Sequence, residues 1–200
     1  MRGFLVVVCV AMATSYFACI RPPSIGEVIE RRGEVSISRS LPFSSTVRGG
    51  DVVSVGAGGA AKIQTEGGLQ LELTAPAGSD GASIQTGYWW EMGGGPYLNV
   101  ELARGRLDVK LAGALRHRWS LDFKAPGLSI HTYSSRLLDH AVQTDGKTTT
   151  VTTAKESKSD EYLRVSVGAS TVSTLVEMTL GDTLVVGPLG VRHAKPGPPR

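Results

Sequence analysis

From Pro23 onward the chain alternates apolar and polar residues with a period of two. Val35 and Ile37 alternate with Ser36 and Ser38, and Leu69, Leu71 and Leu73 with Gln70 and Glu72. Leu98, Val100 and Leu102 alternate with Asn99 and Glu101, and Leu107, Val109 and Leu111 with Asp108 and Lys110. Trp119, Leu121 and Phe123 follow the same rule. Successive side chains of a strand point to opposite faces, so this spacing sets one apolar row against a core and one polar row in solvent. Later candidates are residues 162–167 and 184–186, and 148–153 is a β-branched run. No window of comparable length has a 3.6-residue period; around Leu137 and Leu138 there is room for one helical turn at most.

Turn residues separate these runs: Arg48-Gly49-Gly50-Asp51, the glycine-rich 56–59, Gly67-Gly68, Gly105, Asp145-Gly146 and Gly181-Asp182. The spacing predicts an all-β single domain of about a dozen short strands, as a sandwich, a barrel or a wrapped β-solenoid. Periodicity does not choose among these. The 25 glycines are spread through turns rather than gathered in one block, and no linker interrupts the alternation. The stretch 188–200 reads as a Pro-rich C-terminal tail, with Lys195 to Arg200 expected to be disordered. One internal echo stands out. Residues 48–56 and 179–187 each place a Gly-Asp turn before an apolar strand that closes on glycine. Glycine supplies the positive φ and aspartate accepts from nearby backbone N–H groups. Two copies do not make a solenoid.

The leader narrows the chemistry. A cationic start at Arg2 precedes an apolar run over 4–10, then small residues, then Pro22-Pro23. The apolar core is about 10 residues where a membrane span needs roughly 20, which is the layout of a signal peptide over 1–19. Export takes ATP, NAD and most cytosolic chemistry out of consideration. Ala18-Cys19 resembles the bacterial lipoprotein box, in which the cysteine is lipidated, although Tyr16 stands where that box usually has leucine. Cleavage after Ala13, behind Ala11-Met12-Ala13, and retention as an uncleaved anchor are the other outcomes. The only cysteines are Cys9 and Cys19, so the domain beyond them relies on its core rather than on disulfides. A net charge of +3 with scattered lysines and arginines gives no electrostatic steering toward nucleic acid or anionic lipid.

The order of the turn motifs resembles the FecR domain family of bacterial envelope proteins. Gly33-Glu34-Val35, Gly50-Asp51-Val52-Val53, Gly58-Gly59-Ala60-Ala61-Lys62-Ile63 and Gly68-Leu69-Gln70-Leu71 occur in that family's order. Leu102-Ala103-Arg104-Gly105-Arg106-Leu107 matches its Leu-x-x-Gly-x-Leu step, and Phe123-Lys124-Ala125-Pro126-Gly127 its strand ending in a proline turn. The chain departs from the pattern at Tyr133-Ser134-Ser135-Arg136, where the family has Arg-Gly-Thr, and lacks its glycine near Lys155-Glu156. The resemblance covers 26–187. It implies a non-enzymatic, exported β-domain that recognises another envelope protein in sensing or assembly; together with the lipoprotein box at Cys19, the expected place is the periplasm, tethered to a membrane through a lipid on that cysteine. The sigma-factor contact of the namesake members belongs to a cytoplasmic segment that the resemblance does not reach.

Chemistry-bearing residues are few. His117, His131, His140 and His193 have no close metal-ligand spacing, although His131 and His140 are placed to meet across a hairpin. Ser134 and Ser135 lack a nucleophile elbow, and 56–59 lacks the Gly-Lys-Ser/Thr ending of a phosphate loop. Glu91, Glu101 and Asp108 read as solvated positions, although a dispersed carboxylate pair remains a hydrolase alternative. No cofactor or metal is expected. The binding candidate is the glycine-rich 87–97, which carries Tyr88, Trp89, Trp90 and Tyr97. Aromatic rings on a loop suit sugar rings or a partner's groove, so a glycan-binding module is the second expectation. The competing use is structural, with one tryptophan pinning the segment to the core and the other shielding a sheet edge.

Overall fold

The computed structural model describes residues 23–39, 44–91, 95–112, 119–133, 137–154, 162–168 and 173–196. Among them are sixteen strands, numbered in chain order, and no helix. The first arm of the sheet runs β2 (Val35–Ile37), β4 (Val52–Val55), β7 (Ala82–Glu91), the first half of β8 (Gly95–Leu111), β9 (Ser120–Ala125), β10 (Leu128–Tyr133), β13 (Leu163–Val167) and β14 (Thr174–Met178). The second arm runs β3 (Thr46–Arg48), β1 (Ser24–Arg32), β5 (Ala60–Thr65), β6 (Leu69–Thr74), the second half of β8, β11 (His140–Thr144), β12 (Thr149–Thr153), β15 (Thr183–Gly187) and β16 (Gly190–Ala194). Neighbours are antiparallel except β8 and β9, which run parallel from Tyr97↔Ser120 to Glu101↔Lys124. The sheet does not close into a barrel. The two arms face each other across one continuous core that includes Val53, Ile63, Leu71, Ile84, Leu107, Leu121, Ile130, Val151 and Leu184.

β8 is the corner that joins the arms. The sequence reads as two strands there, and the structure has one of 17 residues. Its buried set moves from Leu98, Val100 and Leu102 to Leu107 and Val109. The change of parity is a β-bulge: Ser83 pairs with Arg104 and Ile84 with Leu102, which leaves Ala103 unpaired. The extra residue keeps the same face inward as the strand leaves β7 and joins β6 and β11. Gly105 takes φ +97 beside the bulge, and a β-carbon there would collide with Ala82.

Sixteen strands exceed the dozen expected, and the additions are instructive. β10 follows β9 through the tight Pro126-Gly127 turn, and 128–133 was not among the expected strands. β16 pairs with β15 from Gly187↔Gly190 to Thr183↔Ala194, so the domain passes 187 and the expected tail begins with a strand. All five of its residues are exposed, so this edge strand carries no apolar alternation to read. Of Lys195 to Arg200, only Lys195 and Pro196 are described, and the leader with Cys19 lies outside the described residues.

Candidate functional site

The segment 87–97 is a pair of strand arms. β7 runs through Glu91 and β8 starts at Gly95, with ladder pairs Tyr88↔Leu98, Trp89↔Tyr97 and Trp90↔Pro96. The side chains of Trp89 and Trp90 lie outside the description, and those of Tyr88 and Tyr97 do not share one surface. Tyr88 turns inward and packs on Trp119, with ring centroids 5.6 Å apart. Burial, and then the negative field of Glu66, push the Tyr88 phenol above its ordinary pKa. Trp119 is 4 % exposed and lies over Gly67, where a β-carbon would collide with the indole. Tyr97 lies on the other face. Its ring centroid is 6.5 Å from that of His131, which in turn is 5.6 Å from Tyr133 in an edge-on contact.

The register explains this second cluster. Tyr97 pairs with Ser120 and Ser120 with Tyr133, while Asn99 pairs with Asp122 and Asp122 with His131. Directly opposed residues share a face, so Tyr97, Asn99, Ser120, Asp122, His131 and Tyr133 form one patch on the outer side of the first arm. Its polar members are close-set. Lys124 Nζ lies 3.5 Å from an Asp122 carboxylate oxygen, and Asn99 Oδ1 is enclosed with no hydrogen-bond partner among the described residues. The four sequence candidates pointed to this hairpin, but His131 had been weighed only as a ligand and Tyr133 not at all. The missed signal is the alternation of β10, where buried Ile130 and Thr132 interleave with exposed His131 and Tyr133.

His131 and His140 do not meet. His140 is buried between the arms, its Nδ1–H donates to the Leu138 carbonyl at 2.8 Å, and its ring stands edge-on to Phe123 with centroids 5.3 Å apart. Burial holds its pKa below the ordinary value, against the opposing pull of that carbonyl and of Asp139 and Asp108. Asp108 is gripped by Arg106 through Nε and Nη2, both at 2.8 Å. Glu101 is exposed on the outer face of the first arm, and the side chain of Glu91 lies outside the description, as do His117, Ser134 and Ser135. Among the described residues no three His, Cys, Asp or Glu side chains gather as metal ligands, and no helix is long and apolar enough to cross a membrane.

The Gly-Asp echo of the sequence becomes a pair of matched corners. In the turn 48–51 the Arg48 N–H donates to Asp51 Oδ2 at 2.8 Å, and in 179–182 the Thr179 N–H donates to Asp182 Oδ2 at 2.8 Å. Gly50 and Gly181 take φ +83 and +76, as the third position of such a turn requires. A threonine on the neighbouring strand straps each turn. Thr86 Oγ1 donates to the carbonyls of Arg48 and Asp51 at 2.9 and 3.0 Å. Thr153 Oγ1 reaches the carbonyls of Thr179 and Asp182 in the same way. These threonines escaped the sequence reading because nothing local marks a partner 26 to 38 residues away.

A polar cleft of about 480 Å³ lies at the opposite, corner end of the molecule, lined by Asp80, Arg104, Gly105 and Asp145 among others. Fold and surface together define an all-β domain of two facing layers, with Tyr88, Tyr97, Trp119, Tyr133 and Tyr162 at the end away from the β8 corner. Compared with known proteins, the chain matches no family model, no curated protein and no solved structure.

Proposed function

We propose that this chain is a non-enzymatic recognition domain of the FecR-like kind, exported, tethered in the bacterial periplasm through Cys19, and working by binding another envelope protein. The observation that carries the reading is the ordered series of glycine-centred motifs. Each sits at a turn or bulge of the fold: Gly33 after β1, Gly50-Asp51 before β4, Gly58-Gly59 before β5, Gly67-Gly68 before β6, Gly105 at the β8 bulge and Pro126-Gly127 before β10. A series of this kind specifies a folding path rather than a catalytic site. The outer patch around Tyr97, His131 and Tyr133 supplies the recognition surface, since aromatic residues ringed by polar groups carry most binding energy at such interfaces.

The test is affinity capture from envelope extracts by the full chain and by a Tyr97→Ala/Tyr133→Ala variant of unchanged circular dichroism. One defined protein, retained by the wild type in excess soluble sugar and lost by the variant, supports the reading. Capture that the variant retains sinks it.

A second reading, a glycan-binding module, is favoured by the same patch, because ring faces beside Asn99, Asp122 and Ser120 offer both stacking and hydrogen bonds to a sugar. It expects polysaccharide retention that falls on Trp89→Ala, Trp90→Ala or Tyr97→Ala in protein that stays folded. Retention that none of these changes alters removes it.

A further inference from the structure

We infer that β14 is the docking edge for a second copy of this chain, the two β14 strands pairing antiparallel across a two-fold axis. This contact goes beyond the recognition surface above, which lies on β8, β9 and β10, and does not depend on it.

Four strands end the two arms: β2 and β14 in the first, β3 and β16 in the second. An end strand offers a row of unpaired N–H and C=O groups, and folds blunt that row by shortness, bulges, proline or cationic side chains. β2 and β3 have three residues each. β16 carries Arg192 and His193 and runs into Lys195-Pro196. β14 has none of these guards. It is five residues, Thr174-Leu175-Val176-Glu177-Met178, without lysine, arginine or proline. It pairs with β13 from Leu163↔Met178 to Val167↔Thr174 with no shift of register. Among the described residues no strand pairs with its other side.

Val176 pairs with buried Val165 and so faces the core, which turns Leu175 and Glu177 outward. Leu175 is 56 % exposed. Its row across the first arm continues through Ser166 and Ser129, so these cross-strand partners offer it no apolar neighbour.

Self-complementarity decides the occupant. A two-fold through Val176 sets Val176 against Val176, Thr174 opposite Met178 and Leu175 opposite Glu177. Every pair joins inner to inner or outer to outer residues, as a continuous sheet requires. The only charge of the strand then faces a leucine and never its like. Within one chain Arg164 Nε lies 3.5 Å from Glu177 Oε1, so the carboxylate is held on β13 and its methylenes remain to pack on the leucine of the second copy. The same operation about the middle of β16 sets Arg192 against Arg192, and like charges directly opposed are destabilising. β14 thus accepts its own copy where β16 refuses it. A contact of this isologous kind closes at two copies.

Opposite charges at one exposed position supply the test. The full chain is purified in non-ionic detergent and reducing buffer, which keeps Cys9 and Cys19 from linking copies, and its mass is followed by sedimentation equilibrium. The wild type is expected to pass from monomer to dimer as concentration rises, and no further. Leu175→Glu puts two like-charged pairs into the seam and should raise the dimer dissociation constant by about tenfold or more. Leu175→Lys places a cation opposite the partner's Glu177 and should keep the dimer. Both variants are compared at unchanged circular dichroism. A wild type that stays monomeric to about 100 µM overturns the inference, and so does growth beyond the dimer. A dimer that both variants keep, or both lose, is not held by this register and overturns it as well. None of these outcomes bears on capture of another protein through Tyr97 and Tyr133, so the two readings fail separately.

Discussion

The corners at 48–51 and 179–182 use one set of bonds for opposite journeys. The first carries the chain from β3 in the second arm to β4 in the first; the other carries it from β14 in the first arm back to β15 in the second. Each buries its aspartate, Asp51 at 2 % and Asp182 at 0 % exposure, and each is strapped by a threonine from the strand beside it. They differ in the counter-charge. Arg39 Nη2 approaches Asp51 Oδ1 at 3.4 Å from a side chain 58 % exposed, whereas His193 Nε2 approaches Asp182 Oδ2 at 3.1 Å from one 25 % exposed. His140 adds to the asymmetry, since it pairs with Thr153, the strap of the second corner. One corner is thus closed by a guanidinium, the other by an imidazole with a second, buried imidazole beside its strap. The same backbone solution can be completed by different cationic partners.

The largest test of this equivalence is removal of the carboxylates. Asp51→Ala and Asp182→Ala each delete a buried acceptor of a backbone N–H, and each is expected to cost about 2–3 kcal/mol. At about 2–4 °C per kcal/mol for a domain of this size, melting temperature drops by about 5–10 °C in either case. A drop in one variant only, measured by calorimetry, breaks the comparison.

Acid should then separate the corners. Burial depresses the His140 pKa below 6.5. A depressed histidine is neutral in the folded protein while the unfolded chain takes up a proton, so stability is full above pH 6.5 and falls as pH drops below it. The slope is at most about 1.4 kcal/mol per pH unit. Urea midpoints between pH 7.5 and 5 should decline in the wild type and flatten in His140→Leu. An undiminished decline in that variant assigns the acid sensitivity elsewhere.

Much of this arrangement was legible in the chain. The alternation of Leu69, Leu71 and Leu73, or of Leu121 and Phe123, marked inward rows, and all of these residues are buried. The shift in parity between Leu102 and Leu107 even held the bulge at Ala103, although it read as a break between two strands. The Gly-Asp echo was visible as local chemistry. What could not be read was register. Whether Tyr97 shares a patch with Tyr88 or with His131 and Tyr133 depends on which strands become neighbours, and no local pattern encodes a parallel β8–β9 pair. Edge strands were hidden for a related reason: β16 buries no side chain, so its sequence is free of the period that betrayed the others.

A smaller effect probes the straps. Thr86→Val and Thr153→Val each keep the shape of the side chain and remove a hydroxyl that serves two carbonyls. Each is expected to cost about 1 kcal/mol, the net worth of a typical hydrogen bond. Hydrogen exchange should localise the loss, with Thr86→Val loosening the Gly50 and Asp51 amides and Thr153→Val those of Gly181 and Asp182. Exchange that quickens throughout the molecule in either variant would show that the threonine supports the whole sheet rather than one corner.

The smallest expected effect reads the counter-charge itself. Burial alone would raise the Asp182 pKa, but the Thr179 N–H, and then the hydrogen bond and charge of His193, bring it below the ordinary 3.8. A depressed carboxyl stabilises the fold above its unfolded value and loses that contribution as pH falls through its folded value. His193→Gln removes one of the causes, so the Asp182 carboxyl should titrate at higher pH, and the protein should begin to lose stability earlier in an acid titration. The cost at neutral pH stays below about 1 kcal/mol, because the pair lies at a partly solvated edge. Carbon-13 titration of the aspartate carboxyls reads the change directly. Arg39→Gln is the internal control, since it touches only the first corner and should leave the Asp182 curve where it was. If His193→Gln also leaves it unmoved, the backbone bond from Thr179 carries the depression alone, and the two corners differ in sequence without differing in electrostatics.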